Sequence, residues 1–527
     1  MLTFSNKIKY TGTIAFSPDS KYFAFSKGLE LIIYDSKTLK PYINFAFCDF
    51  IEDIQWSNNG KLILIGLYKR ARCEIRNIDN SKWYCTIDEG VQGMKYSLFS
   101  PNSLNVLSIC DHNIKLSIRS LVDKSLLYIN FPKFAKKGLS FSSKGNFMAL
   151  AERNEGKDII GVYYTNKWAC IKKFQPETDD LQDVKWSYDN SALLIQDTPT
   201  VCRLFIYSPI GELISKIELY QYKLGIKSLE ISPNGHYICL GLYDQSLRIY
   251  NNISYTCVTI FEHDKQILND VSVNYYKEEI LNNEGDTKYI QLKPPIDLMN
   301  YNILKNNKSN LNDKIPKIGI KKMAFSFDNF FLATKNDKMP NILFIWDLNQ
   351  MNLQFVLIQL NEIISFEWAK DQNILFISTN NNKLYYFTLD SCKILQLAPD
   401  FKNKSFILSP DGKKMTIKDT NNFIMVRIGN ENENSVEKED RIRKVIINEE
   451  YQNDHVKVEE NDIIRDKEGN ENENENYPEE EMEEQEQTGK KGEEGEDGED
   501  EGMNNSEDNK INNNVMFEEE IGMNPDS

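Results

Sequence analysis

Histidine is scarce in this chain of 527 residues: only His112, His236, His263 and His455 occur, and no two stand at the spacing of a helical metal pair. No Cys-x-x-Cys pair is present either. The nine cysteines are scattered, several inside apolar runs such as Ile238-Cys239-Leu240. That excludes a disulfide framework or zinc ribbon and predicts buried free thiols in a reducing compartment. Glycine-rich phosphate loops and Gly-x-Ser-x-Gly elbows are missing. Acidic pairs such as Asp88-Glu89 have no nucleophile or metal set beside them, so a solvated turn is the expected role. We therefore expect no enzyme: no catalytic residues, no cofactor and no metal. No run approaches the ~20 apolar residues that span a bilayer, and Met1 to Lys9 hold no signal-peptide core. A soluble, cytoplasmic protein without a membrane partner is the expectation.

Charge is present but unevenly spread. The formal net charge is −17. Residues 431–527 carry 35 acidic and 10 basic side chains, whereas the first 430 residues carry 44 acidic and 52 basic. A mildly basic body thus precedes a strongly acidic tail, and such a body can still meet a polyanion. The tail is expected to fold back over basic loops and to compete with acidic partners such as tubulin tails.

What the body does contain is a repeat. An apolar-x-apolar or aromatic doublet leads into Ser, a turn, and another apolar run. The anchors are Ser17, Ser57, Ser100, Ser142, Ser187, Ser232, Ser326, Ala369 and Ser409. Their successive spacings are 40, 43, 42, 45, 45, 94, 43 and 40 residues, the period of WD repeats apart from one double gap. Ser-Pro-Asp-Gly suits a type I turn. In the sixth copy Leu229 and Ile231, Tyr237-Ile-Cys-Leu240, Leu247-Arg-Ile-Tyr250 and Thr256-Cys-Val-Thr-Ile-Phe261 read as four strands. One such sheet cannot stand alone; packing around an axis buries its faces. The expected fold is all-β, a WD-repeat β-propeller with one closed ring of eight or nine blades, both counts being open. The ninth copy shows three strands, and Leu2 to Tyr10 is expected to supply the fourth and close the ring.

The organisation follows: residues 1–264 form blades one to six, 265–315 a disordered Asn-rich loop without blade pattern, 316–430 blades seven to nine, and 431–527 a disordered acidic tail. His263 lies where WD repeats carry a Gly-His dipeptide and is expected to brace the blade. Asp244 and Asp337 are expected to accept hydrogen bonds from turn amides and neighbouring blades. Trp346-Asp347 is the one true Trp-Asp dipeptide.

Several stretches go beyond a generic repeat: Tyr68-Lys-Arg70, Trp83-Tyr-Cys-Thr-Ile-Asp-Glu-Gly90, Met148-Ala-Leu-Ala-Glu-Arg153, Leu224-Gly-Ile-Lys-Ser228, Pro316-Lys-Ile-Gly-Ile320 and Phe331 to Asn341 leading into Ile345-Trp-Asp-Leu348. In this order they resemble the family of WD repeat-containing protein eight, the centrosome and spindle-pole family also described as antisense to the tumour-protein seventy-three gene. The likeness covers residues 1–428. It implies a non-enzymatic scaffold at microtubule-organising centres that anchors microtubule minus ends and supports spindle assembly and ciliogenesis. The implied partners are a coiled-coil centrosomal anchoring protein and, in fungi, a minus-end-directed kinesin. The acidic tail and Asn-rich loop depart from the family pattern.

In a propeller, connections from an outer strand to the next inner strand share one rim. Asp88-Glu89-Gly90, Leu224-Gly225 and Lys317-Ile318-Gly319 fall at such junctions, and Asn336-Asp337 at a turn. Asp88, Glu89, Leu224, Gly225, Lys317, Asn336 and Asp337 are therefore candidates for a partner-binding face, with structural turn roles as the alternative. An RNA- or ribosome-associated propeller of the translation-initiation type is the competing reading. It lacks an aromatic-plus-basic stacking platform, so no nucleic-acid partner is expected.

Overall fold

Strand formation begins at the repeated serine. Ser17 donates its hydroxyl proton to Asp19 Oδ1 at 2.6 Å and accepts from the Tyr22 amide at 3.0 Å. The same knot recurs at Ser57, Ser100, Ser187, Ser326 and Ser409, each with an Asp or Asn two residues on. The residue three beyond the anchor takes a left-handed backbone: Gly60, Gly145, Gly235 and Gly412, but also Ser20, Ser103, Asn190 and Asn329. A type I turn followed by a left-handed residue reverses the chain into a twisted hairpin. The anchor serines therefore organise turns and are not available as nucleophiles.

The computed structural model describes residues 2–220, 224–263, 266–267, 272–281, 287–303 and 317–429. The tail, residues 431–527, and the expectations placed on it lie outside the described residues. Within them, nine blade sheets follow one another along the chain, antiparallel except for one pair in blade seven, beside a two-stranded ribbon of Gln266–Ile267 and Ile296–Asp297. In each, strands a to d run from the axis outward. Blade one, for example, comprises Ile14–Phe16, Tyr22–Lys27, Glu30–Asp35 and Pro41–Ala46. Blade six has the four strands read from the sequence, Ile226–Ile231, Tyr237–Leu242, Ser246–Asn251 and Cys257–Glu262.

The core is distributed between blades. Nine apolar clusters occur, one for each junction of neighbours around the ring. At the junction of blades nine and one, Phe423 meets Tyr10, Phe23 and Phe25 in edge-on contacts 5.0–5.9 Å between ring centroids. Full burial of each such side chain contributes about 1.5–3 kcal/mol, and none of that survives in an isolated blade. The ring is a nine-bladed propeller, which resolves the choice between eight and nine.

Closure is as expected. Blade nine takes its a, b and c strands from Ser405–Leu408, Lys414–Lys418 and Asn422–Ile428. Its outer strand comes from the other end of the chain: Leu2 pairs with Ile428, Phe4 with Val426 and Ile8 with Phe423.

One expectation is corrected. The stretch 265–315 was expected to be a disordered loop, yet its described residues include Asn274–Ile280 and Thr287–Leu292 as strands. The first pairs in parallel with Asn352–Ile358, the outer strand of blade seven, and the second pairs antiparallel with the first. Blade seven is thus six strands wide. The added pair is held by a buried polar cluster. Glu278 accepts from Tyr385 Oη at 2.9 Å and from the Leu360 amide at 3.1 Å, and Lys383 donates to Thr287 Oγ1 at 2.8 Å. A charged residue on the buried face broke the apolar alternation by which a strand is read.

Candidate protein-binding rim

Because neighbouring strands of a blade are antiparallel, the b–c turns and the d–a connections share one rim of the ring, and the a–b and c–d turns share the other. All seven candidate residues fall on the first rim. They divide there into a sector at blades two and three, with Asp88 and Glu89, and a sector at blades five to seven, with the rest.

In the second sector the close backbone contacts are structural. A Cβ on Gly225 would stand 2.2 Å from Val201 O, and one on Gly319, at φ +86°, 2.4 Å from Leu242 O. At each place the d–a connection crosses directly over the b–c turn of the preceding blade, which only glycine permits. Gly225 O then accepts from the Tyr243 amide at 3.1 Å, and Gly319 O from the Asp337 amide at 3.0 Å, so each crossing is tied to the following blade's turn. Lys227 completes the tie by donating to Asp337 Oδ2 at 2.6 Å and Ile318 O at 2.5 Å. Asn336 is buried and donates to Gln245 Oε1 at 3.2 Å. Leu224 is half-buried, and Lys317 is exposed. In this sector Gly225, Asn336 and Asp337 hold blades together, and Lys317 faces solvent.

Blades two and three differ. Glu89 turns inward, accepting from Ser108 Oγ at 2.7 Å and Ser117 Oγ at 3.2 Å, with Lys115 Nζ at 3.7 Å. Beside it, burial pushes the Cys110 thiol up to about 11. Asp88 points outward. A 2.6 Å hydrogen bond from Arg72 Nε and one from the Gly90 amide hold its carboxyl below the usual range. Around this anchored loop sit residues that sequence reading missed. Leu29, Phe50, Val91, Ile114 and Phe131 are all exposed, Val91 fully, and all lie in rim loops of blades one to four. The available signal was a lone hydrophobe among turn-formers, as in Gly90-Val91-Gln92 and Asn113-Ile114. Elsewhere on this rim Leu360 and Ile364 are exposed between blades seven and eight.

His263 and Asp244, singled out in the sequence, are both engaged in holding blades together. His263 is buried; its Nδ1 meets Gln245 O at 3.0 Å and its Nε2 meets Thr334 Oγ1 at 2.8 Å. Burial lowers its pKa to about 4, so the ring braces the blade as a neutral imidazole. Asp244 accepts from the Ser246 amide and hydroxyl, and from Tyr220 Oη at 2.7 Å, which links blade six to the end of blade five. Among the described residues no three metal-ligating side chains gather, and the nine cysteines are all unbridged.

The mouse WD repeat-containing protein WRAP73 is 30% identical over 416 residues, an alignment spanning 75% of this chain and 89% of that protein. The chain belongs to the WRAP73 family of WD-repeat proteins. An uncharacterized WD repeat-containing protein of Schizosaccharomyces pombe is 24% identical over 357 residues, covering 66% of this chain and 71% of its own length. Among solved structures, the C-terminal WD40 domain of Sif2 aligns over 82% of this chain and 99% of its own, with TM-score 0.45 and 11% identity. No family model matches. Like the WRAP73 relative, this is a WD-repeat protein, and its repeats close into a propeller. The rim just described is its candidate contact surface.

Proposed function

We propose that the protein is a non-enzymatic scaffold at a microtubule-organising centre or spindle pole. There it anchors microtubule minus ends and supports spindle assembly or basal-body and cilium formation through a coiled-coil partner. The observation that carries this reading is kinship to WRAP73 over 75% of the chain, joined to a sequence resemblance to a spindle-pole family. The rim supports it physically: the apolar side chains of blades one to four are held on pinned loops without being buried, and catalytic furniture is not what the buried polar groups supply. A minus-end-directed kinesin and tubulin are further partners on this reading, and the cytoplasm and cytoskeleton its location.

The test is live imaging of a tagged copy through division. Discrete pole foci that persist when microtubules are depolymerised are expected. A diffuse signal, or cosedimentation with polysomes, overturns the reading and favours a ribosome-associated propeller.

A further inference from the structure

The exposed hydrophobes of blades two to four do not hang on loose loops. Phe131 donates its amide to Ile114 O at 2.8 Å, and Asn113 Nδ2 donates to Lys133 O at 2.8 Å, so two neighbouring rim loops are stitched together. The loop bearing Val91 is tied at one end by the inward Glu89. At Gly93 it runs so close to Asp111 that a Cβ there would stand 2.1 Å from its carboxylate. Val91, Ile114 and Phe131 are thus presented on a preformed surface, the condition under which apolar contact costs least ordering entropy.

Charge on either side of this strip is unequal. On the outer side the carboxylates are occupied: Asp49 pairs with Arg70 at 2.9 Å and Asp88 with Arg72 at 2.6 Å; Glu52, at the entry to strand a of blade two, accepts from the Lys69 amide. On the axial side, Lys95, Lys136 and Lys137 are exposed at the entries to strands a of blades three and four. Lys136 Nζ lies 5.0 Å from the Tyr96 ring centroid. Among the described residues, none of these three lysines pairs with a carboxylate within 4.0 Å. An apolar strip with cations left over along one edge is complementary to an amphipathic helix with carboxylates along one flank.

We infer that the rim of blades two to four docks an acidic amphipathic helix of a partner protein. Its apolar stripe lies on Val91, Ile114 and Phe131, and its acidic flank lies toward Lys95, Lys136 and Lys137. The inference rests on the scaffold reading only in taking the ligand to be a protein; it does not depend on where in the cell the contact is made.

The test is site-specific photocrosslinking of the full chain in cells, with benzoylphenylalanine at Val91 or Phe131 and identification of the crosslinked peptide by mass spectrometry. A peptide from another protein, with apolar residues three and four apart and a net negative charge, is expected. The Lys136→Glu/Lys137→Glu double variant should cut adduct yield about tenfold, as loss of close charge pairs does, and Ile114→Asp should remove it while the melting temperature stays unchanged. Absence of an adduct at both positions overturns the inference. So does an adduct to a second copy or to this chain's own acidic residues, or a captured peptide lacking the acidic helical pattern. Pole foci are scored separately. Foci without adduct remove this surface and spare the scaffold, whereas adduct without foci removes the location and spares the surface.

Discussion

His263 and Thr334, 71 residues apart in the chain, meet at 2.8 Å across the junction of blades six and seven. Gln245 O can only accept, so His263 Nδ1 carries the proton and Nε2 receives the Thr334 hydroxyl. Thr334 in turn accepts from the Trp346 indole at 2.8 Å, and Trp346 stacks on Phe261 with centroids 4.4 Å apart. Of these contacts, the His263–Thr334 hydrogen bond and the Trp346–Phe261 stack form only when the two blades are docked.

Acid should therefore loosen this junction. The folded pKa of His263 is about 4, below the ~6.5 of an unfolded histidine. The folded state binds fewer protons, so stability is full above pH ~6.5 and falls as pH drops toward 4, by a few kcal/mol at most. Urea midpoints measured from pH 7.5 to 4.5 should decline more steeply for the native chain than for His263→Gln. Parallel slopes would exclude the assignment.

Between blades three, four and five, Lys133 Nζ lies 2.8 Å from Asp158 Oδ2, with both side chains more than nine-tenths buried, and 2.6 Å from Leu181 O. Asp158→Ala leaves Lys133 with the part-exposed Asp180 at 2.7 Å and the Leu181 amide without its acceptor. It should cost about 1.5–3 kcal/mol in chemical denaturation, whereas the exposed neighbour Arg153→Ala should cost under about 1 kcal/mol.

Ring closure makes a sharper claim on the chain ends. Deleting residues 2–9 removes the partner of Asn422–Ile428. It should expose that strand to rapid amide exchange and lower the melting temperature. Phe423→Ala should cost about 3–5 kcal/mol through the cavity left among Tyr10, Phe23 and Phe25. Unaltered exchange in Asn422–Ile428 after the deletion would show that closure lies elsewhere.

The widened blade seven can be tested at Glu278, which is 1% exposed. Glu278→Ala removes the acceptor of the Leu360 amide and one partner of Tyr385 Oη, and should cost about 1–3 kcal/mol. Amide protection in Asn274–Ile280 should fall with it. Full protection in the variant would mean that the added strands are held by pairing alone.

Much of the ring was legible because its signals are local. Ser17 knots its own turn through Asp19 and Tyr22, all within five residues, and the same chemistry repeats at a fixed period. The role of His263 was legible for the same reason, since it stands at a fixed place in a repeat. The candidate rim was less so. Glu89 and Asp88 are adjacent in sequence, yet one is sealed beneath blade three and the other faces water. Which way each turns depends on Ser108 and Ser117 arriving from other strands. Gly225 and Gly319 read as candidate contact residues, but their reason is a backbone crossing that no local pattern announces.

The sequence by itself determined the blade as a unit and the strand that joins the two ends, because antiparallel hairpins are built from neighbours and turn chemistry sets their register; the choice of nine blades over eight came from the structure. Only the tertiary structure decided that Asn274–Ile280 would run in parallel beside a strand some eighty residues later, and that Val91, Ile114 and Phe131 would be left uncovered on one arc. Both are outcomes of packing between distant segments, where the gain comes from surfaces that become complementary only once the ring has closed.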